Sequence, residues 1–158
     1  MTGTCFRLPS PVILKSGAIS NAHIVGTLQI SPDTKPSDMG VWGCPLLQTL
    51  ILPSGITEIP EGAFASLDIS SITIPETVTK IGDYAFNNCY SLVKVINQSS
   101  LDILPGSSNH GSVAEHANMV VDKNGNILTA GEENITYVET EDGFRFELRD
   151  GAYKLIAY

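Results

Sequence analysis

Apolar residues recur along this chain in a pattern that is written out twice. Leu50, Leu52, Ile56, Ile59, Ala63 and Phe64 mark one copy, and Ile72, Ile74, Val78, Ile81, Ala85 and Phe86 mark the other, each 22 positions later. Pro53 and Pro75 hold the same offset. Leu50-x-Leu52 and Ile72-x-Ile74 alternate with more polar neighbours, which predicts short strands with one face buried. The proline that follows ends each strand because it has no N–H to donate to a ladder. Ile56-x-x-Ile59 and Val78-x-x-Ile81 then bring apolar groups back at every third position, as tight turns do. Gly62-Ala63-Phe64 and Tyr84-Ala85-Phe86 predict the far side, a turn of 3₁₀ or α-helix. There the alanine admits a close backbone approach and the ring fills the centre of a coil. A fixed period of this length marks a solenoid, in which each unit buries its apolar face against the next.

The pattern runs beyond these two copies. Downstream, Leu92, Val95, Asn97, Leu101 and Leu104 repeat Ile69, Ile72, Ile74, Val78 and Ile81 at an offset one position longer, and Pro105-Gly106 then break it. Upstream, Leu28, Ile30, Thr34, Val41 and Trp42 stand one period before Leu50, Leu52, Ile56, Ala63 and Phe64, with Ser31 in place of the proline and Ser37 in place of Ile59. Phe6, Leu8, Pro9 and Val12 continue the register into a partial first unit. Trp42, Phe64 and Phe86 are expected to form one core column. About three stacked repeats suffice for stability, so residues 1–106 are expected to form the solenoid, with the strong repeats over about 45–92.

The string L-x-L/I-P-x-x-I/V-T-x-I-x-x-x-A-F-x-x-C resembles the BspA-like class of leucine-rich repeats, over roughly residues 25–106. That resemblance implies a right-handed superhelix of short parallel strands and turns or 3₁₀ segments, mostly β, with the strands on one face. It also implies a surface-exposed protein that recognises host or neighbouring-cell proteins, host extracellular matrix among them.

From Gly106 the text changes. Gly106 to Ser112 is a loop of small polar residues, and Val113–Ala117 is expected as a short helix. Met119-Val120-Val121 and Ile127-Leu128-Thr129 flank Asn124-Gly125, a two-residue hairpin signal. Ile135–Val138 and Phe144–Leu148 flank Asp142-Gly143, and a last run follows from Tyr153 to Tyr158. Residues 107–158 therefore read as a loop plus a small antiparallel β-meander that caps or connects the solenoid.

Charge and composition narrow the function classes. The 158 residues carry a formal net charge of −8, and no basic stripe supports binding to nucleic acid or to an anionic membrane. No apolar run approaches the ~18 residues of a membrane span. Arg7, Pro9, Pro11 and Lys15 would interrupt a secretory apolar region, so no signal peptide is read. A surface protein without one is either a fragment of a longer product, the expectation here, or intracellular. Cys44, Ser66 and Cys89 occupy equivalent places in successive coils. At ~4.8 Å per coil the two thiols stand about 9.6 Å apart, beyond the ~7 Å Cα limit of a disulfide. They are expected to be free and half-buried, with Cys5 unpartnered.

Catalysis finds little support. Ser107, Ser108 and His110 are close in sequence, but a flexible loop does not hold nucleophile, base and orienting acid in fixed geometry. Asp122 to Asn126 lacks the glycine placement and the closing glutamate of a calcium loop. Glu132, Glu133, Glu139, Glu141 and Asp142 read as a solvated acidic surface. Asn97-Gln98-Ser99 and Asn134-Ile135-Thr136 fit the glycosylation sequon. No catalytic, cofactor-binding or metal-ligating set is therefore assigned, and the chain is read as non-enzymatic.

The strand positions between the buried ones are Thr27, Gln29, Thr49, Ile51, Ser71, Thr73, Lys94 and Ile96. In a curved solenoid these line the concave face, a mixed surface suited to a protein partner. Together with what the resemblance implies, the expectation is a protein-binding module of an adhesin-like surface protein. The alternatives are a structural spacer within a larger surface protein, or an intracellular recognition protein.

Overall fold

The computed structural model describes residues 12–14, 19–130, 137–139, 143–149 and 152–157. The expectations for Cys5, Phe6, Leu8, Pro9, Glu132, Glu133, the Asn134 sequon, Glu141 and Asp142 concern residues outside this set. The chain is a leucine-rich-repeat solenoid followed by an antiparallel meander. Its principal face is built from β1 (Val12–Leu14), β3 (Gly26–Ile30), β5 (Leu47–Ile51), β7 (Ser71–Ile74), β9 (Lys94–Asn97) and β10 (Met119–Val121). Between these run shorter strands on the arcs: β2 (Ile19–Ser20), β4 (Val41–Trp42), β6 (Glu58–Ile59) and β8 (Lys80–Ile81). The meander comprises β11 (Ile127–Thr129), β12 (Tyr137–Glu139), β13 (Arg145–Arg149) and β14 (Ala152–Ala157).

The parallel registers follow the repeat. Leu28 pairs with Leu50, and Ile72 and Ile74 pair with Val95 and Asn97. Leu28, Ile30, Leu50, Leu52, Ile72, Ile74 and Val95 are all buried, with Phe64 and Phe86 behind them. β10 joins β9 in parallel, Val120 opposite Val95, and β11 to β14 extend the same sheet antiparallel to a total of seven strands. Residues 107–121 thus form an arc and strand of their own, burying Val113, Ala114, Ala117 and Val120 against the preceding coil.

Backbone bonds close the arcs from coil to coil. Phe64 N–H donates to the Ala85 carbonyl at 2.7 Å, and Phe86 N–H donates to Gly111 at 2.8 Å. Side chains add to this, since the Thr77 hydroxyl sits 2.8 Å from the Ser54 carbonyl and 2.6 Å from that of Ile56. Close packing of the arcs requires Gly82: a Cβ there would lie 2.5 Å from Glu61 N and 2.9 Å from Pro60 C. One column of arc residues takes a left-handed backbone in four successive coils, namely Asn21 (φ 49°), Gly43 (63°), Ser66 (57°) and Asn88 (59°).

Several expectations are corrected. Trp42 is not core, being 38% exposed, whereas Met39 and Val41 are fully buried. Val41 N–H donates to Ala63 at 2.6 Å just as Phe64 does to Ala85, so Val41 holds the ring position, one place earlier than the period assigns it. The 3₁₀ turn Pro36–Asp38 brings Met39 and Val41 inward and leaves Trp42 on the outside. The same shift by one position puts Leu67, not Ser66, in the column of Cys44 and Cys89. At the N-terminus Val12 pairs with Leu28, so the first unit is shorter than the others and out of the register of the later repeats.

Downstream, Ile103 is buried in place of Leu104, which is exposed. Here a side-chain turn changes the path: Asn97 Nδ2 donates to the Leu101 carbonyl at 2.7 Å, and Ser99 Oγ donates to Asn97 Oδ1 at 2.6 Å. Val113–Ala117 is not a helix. The helical turn lies at Asn109–Ser112, with His110 and Gly111 at φ 51° and 64°, and Val113 to Ala117 pack as turns. The Asn124-Gly125 hairpin has the expected strands but a longer loop, residues 122–126, because Val121 pairs with Ile127.

Candidate functional site

The strand face places the expected residues in two rows. Thr27 lies beside Thr49, and Ser71 beside Lys94 and then Met119. In the second row Gln29 lies beside Ile51, and Thr73 beside Ile96 and then Val121. Thr49, Ile51, Ser71, Thr73 and Lys94 are exposed, while Thr27, Gln29 and Ile96 are half-buried. Their neighbours Leu28, Leu50, Ile72 and Val95 point inward, as strand alternation requires.

Between the two halves the sheet opens. Among the described residues no ladder joins β5 to β7, so the parallel face divides into β1-β3-β5 and the sheet that starts at β7. A groove of about 280 Å³ occupies this division. Thr49, Ile51, Ser71 and Thr73 line it with Ser54 and Gln98, over a floor that includes Leu50 and Ile72. Four of the eight expected residues therefore meet in one depression. Strand groups facing the opening, having no ladder partner there, are left to water or to a ligand. Lys94 is the one charged side chain of the eight.

Sequence reasoning missed two members of the apolar row. Ile13 pairs with Gln29 and is 54% exposed, and Val121 pairs with Ile96 at the other end. Val121 was signalled by the alternation of Met119-Val120-Val121, which repeats that of Lys94-Val95-Ile96. Ile13 carried no such signal, because its unit is out of period.

The groups considered for chemistry are occupied structurally. His110 Nε2 lies 3.1 Å from the Asp102 carbonyl, and Ser107 Oγ accepts the Asn109 N–H at 3.2 Å. Asp122 accepts the N–H groups of Asn124 and Asn126, both at 2.8 Å, closing its own loop. Burial pushes its carboxyl up, but the hydrogen bonds from Asn126 and Asn124 together outweigh it and hold the pKa below the usual value. Cys44 and Cys89 are free, and buried rather than half-buried; that burial pushes both thiols up. Among the described residues no group of three or more His, Cys, Asp or Glu is placed to hold a metal ion. Nor is any helix there long and apolar enough to cross a membrane. Asn97, first residue of a sequon, is buried and bonded to Leu101.

Residues 37–114 match the BspA type leucine rich repeat region in six copies. The crystal structure of a leucine rich cell surface protein from Faecalibacterium prausnitzii A2-165 is similar to 80% of this chain, at 19% identity and a TM-score of 0.41. The chain spans 30% of the length of that protein. No curated protein matches the sequence. This repeat family is generally non-enzymatic, and its solenoids commonly mediate protein interactions. Residues 37–114 thus carry BspA-type leucine-rich repeats.

Proposed function

We propose that this chain is a protein-binding module of an adhesin-like protein displayed at the cell surface, recognising a host or neighbouring-cell protein through its strand face. The observation that carries the reading is the groove between β5 and β7, where Thr49, Ile51, Ser71 and Thr73 stand around unladdered strand edges. Hydroxyls that both donate and accept, next to an exposed isoleucine, suit the polar and apolar mixture of a non-obligate protein interface. In the proposal the solenoid of residues 1–106 supplies this face together with Met119 and Val121 of β10, and the rest of residues 107–158 caps the solenoid and connects it onward.

The test immobilises the chain and exposes it to a solubilised animal extracellular-matrix preparation and to cells of neighbouring species. Wild type is expected to retain a defined protein, and the combined variant Thr49→Arg, Thr73→Arg, Lys94→Glu to lose it at unchanged Tm. Full retention by that variant would exclude this face.

A further inference from the structure

A second depression, of about 370 Å³, lies outside the strand face, where the arcs turn into strands. Pro45, Ser66, Leu67, Asp68, Asn88 and Tyr90 line it, so it crosses the entries to β5, β7 and β9. Tyr90 is 71% exposed, an unusual position for a large ring in a chain that buries Phe64 and Phe86. Yet the ring is held. Its hydroxyl donates to Asn88 Oδ1 at 2.9 Å, and its plane packs against His116 of the following arc, centroids 5.0 Å apart and tilted 51°. Asp68 is held as well, because its Oδ1 accepts the hydroxyl of Ser91 from the next coil. Ser66 and Asn88 keep side chains at the left-handed column where Gly43 stands in the preceding coil.

The arrangement is one fixed aromatic ring beside a carboxylate, an amide and a hydroxyl. This composition selects among ligand classes. An apolar ligand would find little beyond Pro45 and the ring, since Leu67 is 2% exposed. An anion would meet Asp68, and no Lys or Arg lines the groove among the described residues. A neutral sugar fits both halves. The C–H face of a pyranose is weakly positive and packs on the negative face of an aromatic ring. Its neighbouring hydroxyls donate to a carboxylate, and accept from an amide N–H₂ or a serine hydroxyl. We propose that the groove at Asp68, Asn88 and Tyr90 is a binding subsite for a neutral glycan, separate from the strand face.

The experiment titrates the chain with four neutral oligosaccharides, namely cellohexaose, maltohexaose, mannohexaose and chitohexaose, following the tyrosine ring resonances by NMR. Hyaluronan serves as the anionic comparison. The expected result is saturable binding of at least one neutral sugar that shifts the Tyr90 ring, with no response to hyaluronan. Tyr90→Ala and Asp68→Ala are each expected to weaken binding by about tenfold or more, or about 1.4 kcal/mol. Tyr90→Phe keeps the ring and is expected to retain most of the affinity, and all three variants to melt as wild type does. Absence of saturable binding by all four sugars up to ~10 mM overturns the proposal. So does binding that survives both alanine variants, or hyaluronan binding that shifts the same ring.

Discussion

Phe64 and Phe86, one full repeat apart in the chain, place their ring centroids 5.4 Å apart with their planes tilted by 43°. Both rings are fully buried, and the backbone N–H of Phe64 bonds the carbonyl of Ala85, next to its partner ring. Stacking of coils and filling of the coil centre are therefore the same event. Each ring contributes its burial, and the tilted pair adds about 0.5–1.5 kcal/mol beyond area.

Phe86→Ala is expected to lose about 3–5 kcal/mol of stability, the usual cost of emptying a buried aromatic site. Trp42→Ala, at a ring that stays partly in water, is expected to lose less than about 1 kcal/mol. Urea unfolding of the two variants checks this, and equal losses would contradict the placement of Val41 in the ring column.

Gly82→Ala is expected to destabilise by about 1–3 kcal/mol, as overpacking does, because the added methyl meets the backbone of Pro60 and Glu61. Gly55→Ala, where nothing lies within 4 Å of a new Cβ, is expected to stay within about 0.5 kcal/mol of wild type. Thermal melts of the pair decide whether arc contact or turn flexibility governs.

Cys44 and Cys89 are expected to resist an aromatic disulfide reagent in the native protein and to react at once in denaturant. Burial raises both pKa values, and the thiolate is the reactive form. For a thiol whose folded pKa is raised, the folded state holds its proton more tightly. Its contribution to stability is thus complete below the unfolded pKa and is lost as pH rises towards the folded one. Rapid labelling of Cys44 or Cys89 themselves, read site by site at neutral pH without denaturant, would refute the packed column Cys44, Leu67, Cys89.

Asp122→Ala is expected to loosen the β10–β11 loop, removing the acceptor of two backbone N–H groups, at about 1–2 kcal/mol. Because the folded pKa of Asp122 is lowered, its stabilisation is present above the unfolded value and fades as pH falls through the folded one. Amide exchange at Asn124 and Asn126 reads this directly. Exchange that is equally slow in the variant and in acid would show that the carboxylate does not hold the loop.

Much of this was legible beforehand for a physical reason. Leu50, Ile72 and Val95 sit where they do because alternation dictates which strand residues face inward, and the prolines dictate where strands stop. Thr49, Ile51, Ser71 and Thr73 follow by the same alternation. Their meeting in one groove does not, since alternation says nothing about whether neighbouring strands close a ladder. Asp68, Asn88 and Tyr90 were also hidden, because their coming together depends on stacking between residues of successive coils.

By itself the sequence determined the repeat, the strand faces, the buried phenylalanine pair and the antiparallel character of the C-terminal meander, all of which follow from local periodicity and turn chemistry. Only the tertiary structure decided that Val41 and not Trp42 fills its coil, and that Ile103 replaces Leu104. It likewise decided that residues 107–121 add a parallel strand, and that the sheet opens between β5 and β7. The pairs Leu28–Leu50 and Ile72–Val95 hold while an arc changes length by one residue, the difference in the Val41 coil reappearing as a register shift where β3 and β5 begin. Which side chain then turns inward is settled by the carbonyl that each arc N–H finds in the next coil.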